Sequence, residues 1–105
     1  MYVLCFYVPE DFKEEVKKAI FLSDAGKLGQ YDRCCFEISG LGQFRPLSGA
    51  NPTIGHRGEL ELVSEVKIEV IVADVCIKEV VRTLIDVHPY EKPTYHIFKS
   101  AEMPL

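Results

Sequence analysis

Every residue from Tyr2 to Val8 is apolar, so a strand there has two apolar faces: Tyr2, Leu4, Phe6 and Val8 on one, Val3, Cys5 and Tyr7 on the other. A strand of this kind belongs in the interior of a sheet with a layer over each side. The run is too short to span a bilayer. It also lacks the basic stretch that precedes the apolar part of a secretion signal, so the expected compartment is the cytoplasm.

Two amphipathic helices are expected to supply one covering layer. Pro9-Glu10-Asp11 opens the first, with acids placed to complement the helix dipole. Phe12, Val16, Ala19 and Ile20 form its apolar stripe, Glu14 and Lys18 pair on its wet side, and Gly26 ends it. Asp74 is the expected N-cap of the second, whose stripe is Ile77, Val80, Val81, Leu84 and His88, with Pro89 as the stop. Strand patterns occupy 31–47, 59–73 and 94–98. The first of these is interrupted at Gly40-Leu41-Gly42, which predicts a bulge, a bend or a close backbone approach. In the second, Val66, Ile68, Val70 and Val72 share a face opposite Glu65, Lys67 and Glu69, and Ser64 on the apolar parity predicts a break. Residues 48–58 form a long loop.

The order β, α, β, β, α, β predicts a single α+β domain over 1–99, a ferredoxin-like βαββαβ sandwich, with a short tail over 100–105. Two right-handed crossovers give an antiparallel four-stranded sheet with two helices on one face. The other face is then uncovered by helices but partly apolar, which predicts a homo-oligomer packed sheet against sheet. A length of 105 residues leaves no room for a second domain, and 12 basic against 16 acidic residues, without a basic run, argue against nucleic-acid and anionic-membrane partners. The 4 cysteines stand at 5, 34, 35 and 76 without a C-x-x-C pair, and are expected to be reduced and mostly buried.

Chemistry concentrates in three places. In His88-Pro89-Tyr90-Glu91-Lys92-Pro93, two prolines stiffen a segment where His88, Tyr90 and Glu91 could contact a ligand. The structural alternative is that His88 caps the helix C-terminus as a cation while Tyr90 fills an interface. In Gly40, Gly42, Gln43, Phe44, Arg45 and Pro46, glycines admit a ligand to the backbone, Gln43 donates and accepts, and Arg45 can pair with an anion. The alternative there is a bulge. His56, beside Arg57, reads as an anion or partner contact, or as a solvated loop tip. A divalent metal such as copper or zinc could use His88, Glu91 and His96 or a cysteine. G-x-S-x-G, H-E-x-x-H and the phosphate-loop pattern are absent.

His88-Pro89-Tyr90-Glu91-Lys92-Pro93-Thr94-Tyr95 resembles the H-P-Y-E-x-P-x-Y signature of the NIF-three-like (YqfO-type) family. Gly26-x-x-Gly29-x-Tyr31-Asp32-x-Cys34, Gly40-x-Gly42-Gln43-Phe44-Arg45-Pro46, Gly49-Ala50-Asn51-Pro52 and Ile54-Gly55 also look like that family. The matching part of those proteins is a domain inserted into a larger two-metal body and similar to the trimeric CutA and PII signalling proteins. The resemblance therefore implies a CutA/PII-like fold and oligomerisation, with a trimer expected first and a dimer second. The metal-binding residues of full-length members lie outside the matching region, so the resemblance implies no hydrolase activity here. Lys92 stands where the family usually has an acid.

Together these readings favour a non-catalytic oligomeric binding or regulatory module, with no certain cofactor and a small molecule or a protein as partner. The alternatives are a CutA-like protein that binds copper or zinc, and a structural domain serving a larger partner.

Overall fold

A computed structural model describes residues 1–105. Strand β1 spans Tyr2–Pro9, helix α1 Lys13–Leu22, strand β2 Phe36–Phe44, strand β3 Glu61–Val72, helix α2 Ile77–Val87 and strand β4 Tyr95–Lys99. All pairings are antiparallel, in the order β2-β3-β1-β4, which puts the doubly apolar β1 inside the sheet. Leu4, Phe6 and Val8 of β1 and Val66, Ile68, Val70 and Val72 of β3 bury one face against Val16 and Ile20 of α1 and Val80 and Leu84 of α2. This is the ferredoxin-like sandwich, with both helices on that face.

The opposite face is mixed rather than apolar throughout. β3 presents Glu65, Lys67 and Glu69 there. Phe36 and Ile38 of β2 lie on one side of this row. Val3, Cys5 and Tyr7 of β1, with Phe98 of β4 beyond them, lie on the other. Phe36, Ile38 and Phe98 are each more than half exposed.

Several local expectations are corrected. β2 carries no bulge: its pairing with β3 runs in unbroken register from Phe36↔Glu69 through Gly40↔Glu65 and Leu41↔Ser64 to Phe44↔Glu61. Nor does Ser64 break β3. The far half of the β2–β3 hairpin reaches past the helices in a molecule measuring 52 × 24 × 24 Å, so no core exists there to demand an apolar residue. For the same reason Leu41 and Leu62, on the helix-side parity, are exposed.

A 3-10 turn over Glu10–Phe12 precedes α1. Glu14 pairs with Lys17 at 3.2 Å rather than with Lys18, because Lys17 points toward β2, where it and Lys13 each reach the Glu37 carboxylate at 2.9 Å. Asp74 does not cap α2; Cys76 occupies the N-cap position without a side-chain bond. The Asp74 carboxylate instead receives the N-terminal ammonium and, at 2.6 Å, Lys99 Nζ. All cysteines are free, but only Cys5 is buried; Cys34, Cys35 and Cys76 are half-buried. No helix is long and apolar enough to cross a membrane.

Candidate functional site

The helix-free face carries a cavity of about 580 Å³ where the hairpin arm meets the segment leading into β4. Gly40, Gly42, Gln43, Phe44, Arg45 and Pro46 form one wall. Ala50, Pro52, Thr53 and Ile54 of the hairpin loop form another, Tyr90, Glu91 and Lys92 a third, and Glu65, Lys67 and Tyr7 the sheet floor. Two of the three sequence clusters thus meet across some fifty residues of chain. His56 does not join them; it stays exposed at the loop tip.

The arrangement is built outward from His88. This residue closes the apolar stripe of α2 and is buried, 6% exposed. Its Nε2 lies 2.6 Å from the Tyr7 carbonyl oxygen, and the Tyr90 backbone N–H donates to its Nδ1 at 3.1 Å. A carbonyl can only accept and an amide N–H can only donate. The imidazole is therefore the neutral tautomer with its proton on Nε2. Burial also holds its pKa below the usual histidine value. The expectation of a cationic helix cap is thus overturned: the helix C-terminal position is filled by a neutral ring that fastens β1 to the turn after α2. His88 stands behind the cavity wall rather than in it.

Tyr90, fixed by that bond, stacks edge-on against Phe44 with ring centroids 5.7 Å apart. Its hydroxyl donates to Glu65 Oε2 at 2.7 Å. Burial first, and then the carboxylate, push the Tyr90 phenol well above its ordinary pKa. Glu65 can lie there only because position 42 has no side chain: a Cβ on Gly42 would fall 1.6 Å from Glu65 Oε1. Gly42 is thus the close-approach glycine that the sequence allowed for, whereas a Cβ on Gly40 would meet nothing within 4 Å. On the far rim the Glu91 carboxylate accepts the Asn51 backbone N–H at 3.1 Å.

Sequence reasoning missed Glu65, Lys67 and Tyr7. Each reads as an ordinary strand residue, and only the sheet register sets them beneath Gly40 to Phe44. The signal that could have found Glu65 was Gly42 itself, since a glycine inside a regular strand asks what occupies its missing side chain.

The proposed metal set of His88, Glu91 and His96 is not assembled. No group of three His, Cys, Asp or Glu side chains is placed to hold an ion. Both nitrogens of His88 are already engaged. His96 sits on β4 opposite Cys5, beside Tyr7 and Phe98.

The fold is that of the CutA-like proteins. CutA from Xylella fastidiosa superposes with a TM-score of 0.69 at 14% identity, over 98% of this chain and 86% of that one. No protein-family model matches the chain. A Bacillus cereus protein related to NIF3 superposes with a TM-score of 0.78 at 34% identity, over 92% of this chain and 24% of that one. A Bacillus subtilis protein named GTP cyclohydrolase 1 type 2 homolog is 42% identical over 101 residues, which is 96% of this chain and 27% of the relative. Over nearly its whole length the chain is similar to one segment of these NIF3-related proteins, and it spans about a quarter of the length of the curated relatives it matches.

Proposed function

We propose that this domain is an oligomeric, non-catalytic binding module whose ligand occupies the cavity between the hairpin arm and Tyr90. The observation that carries the reading is convergence. The Gly40 to Pro46 run, the Ala50 to Ile54 stretch and Tyr90-Glu91 each carry part of the family resemblance, lie far apart in the chain, and line one cavity. Its chemistry suits a small polar molecule with a flat or apolar part. Phe44 and Tyr90 offer ring surfaces, Arg45 and Lys92 positive charge, and Glu65 an acceptor fixed in place. The name of the longer relatives refers to proteins about four times this length. This segment supplies binding, and any chemistry belongs to residues outside it.

The cavity floor and the exposed Phe36, Ile38 and Phe98 share the helix-free face of the sheet, so assembly and ligand binding are thermodynamically linked. CutA-like trimers make a trimer the first expectation and a dimer the second. A thermal-shift screen of small anions, amino acids and nucleotides, GTP included, tests the reading together with light scattering. The expected result is a ligand-dependent rise in melting temperature that Arg45→Ala or Tyr90→Phe abolishes. No shift with any compound, from a chain that is monomeric at micromolar concentration, removes the proposal.

A further inference from the structure

The loop joining β2 to β3 is closed at its own base. The Gly58 N–H donates to the Pro46 carbonyl at 2.6 Å, with Gly58 in the left-handed region at φ 81°, so both ends of the loop are fixed to one spot on the hairpin. Within the loop, the Ala50 N–H donates to the Leu47 carbonyl, the Glu59 N–H to the His56 carbonyl, and Arg57 Nε to the Ala50 carbonyl at 2.6 Å. These contacts make the loop a small self-braced flap. Its inner side, with Ala50, Pro52 and Ile54 half-buried, closes one wall of the cavity. The flap is tied to the body by a hydrogen bond at a single point, where the Glu91 carboxylate accepts the Asn51 backbone N–H. Glu91 itself follows directly on Tyr90, whose backbone is anchored by buried His88, so the acceptor stands on rigid ground while the donor stands on the flap.

We propose that residues 47–60 are a hinged lid over the cavity and that the Glu91 carboxylate is its latch. The inference rests on the cavity being the binding site, and it makes the latch the point at which access is regulated. Closure aligns Ala50 to Ile54 against the opening, and release of one amide lets the flap turn about its stitched base at Pro46 and Gly58. The latch is exposed and charge-assisted, so its loss should raise the open population by roughly tenfold, the lower end for a hydrogen bond to a charged group.

Amide hydrogen exchange on the full chain, without ligand, tests this. In Glu91→Ala the Asn51 amide should exchange about tenfold faster, and trypsin should cut faster after Arg57. Exchange at Asn51 should be insensitive to low urea, as a local opening requires, while the Val66 to Val72 amides should remain far better protected and urea-dependent. The melting temperature should fall by a few degrees, since the bond is lost on unfolding as well. Glu91→Gln, which keeps a carbonyl acceptor, should fall between the two. Wild-type exchange at Asn51 in Glu91→Ala overturns the latch, as does Asn51 exchange that tracks the core strands in its urea dependence. Because no ligand is used, a working latch combined with a ligand screen that finds nothing would count against the binding reading alone.

Discussion

Gly42→Ala isolates the contact on which the cavity floor depends. The new methyl would sit 1.6 Å from Glu65 Oε1, 2.4 Å from Cδ and 3.1 Å from Cγ. The clashing atoms are the far end of a flexible side chain, so the strand need not move; Glu65 swings away and gives up its 2.7 Å bond from the Tyr90 hydroxyl. A hydrogen bond to a charged group contributes roughly 1.5–3 kcal/mol net, with the lower end appropriate to this half-exposed site. Replacing glycine by alanine in a strand returns about 0.5–1 kcal/mol. The net cost is therefore about 1 kcal/mol, a fall of about 4–8 °C in melting temperature for a domain of this size.

Gly40→Ala is the matched control. A Cβ there meets nothing within 4 Å, so only the gain remains and the variant should melt at or slightly above wild type. Because the Glu65 bond helps to hold the Tyr90 phenol above its ordinary pKa, alkaline titration of Gly42→Ala should also show a tyrosine moving down toward that value. Glu65→Ala should cancel the difference between the two alanine variants, a coupling that a double-mutant cycle measures. Equal melting temperatures for Gly42→Ala and Gly40→Ala, with the tyrosine titration unchanged, would refute the account of the floor.

Three further outcomes follow from the same geometry. His88 is neutral when folded and its pKa is depressed below 6.5, so the unfolded chain binds the proton more readily. Its contribution should be complete above about pH 6.5 and decline as pH falls below that, and urea midpoints measured across pH 5–7 should lose that slope in His88→Ala, along with about 2–3 kcal/mol for the orphaned Tyr90 N–H and Tyr7 carbonyl. Tyr90→Phe keeps the ring against Phe44 but frees Glu65, and should cost about 1 kcal/mol in a chemical melt while losing the ligand-induced thermal shift. Ile38→Lys, on the exposed helix-free face, should lower the assembly state in light scattering without changing the far-ultraviolet circular dichroism; unchanged mass would move the interface elsewhere.

Much of this protein is written locally in its chain. The apolar run from Tyr2 to Val8 could only be an interior strand, and the stripes of Phe12, Val16 and Ile20 and of Val80, Leu84 and His88 could only be helix faces. Periodicity reports which side of an element must leave water, and that alone led to the ferredoxin-like order and put His88 on the apolar stripe of its helix. Turn-scale detail was less legible. The same residues, Gly40 and Gly42, signal a bulge or a notch, and Asp74 signals a cap or an ion-pair partner, depending on what stands opposite.

Tertiary structure decided the site. Glu65 is 25 residues from Tyr90 and is indistinguishable from any solvent-facing strand glutamate until the β2–β3 register sets it opposite Gly40, with its carboxylate over Gly42. The charge state of His88 likewise depended on which groups reached its two nitrogens, the Tyr7 carbonyl from the opposite end of the chain and the Tyr90 amide. Hydrophobic pattern is a sum over near neighbours along the chain and survives without the fold. A hydrogen bond is a pairwise contact at fixed distance, and its partner is chosen only when the whole sheet has closed.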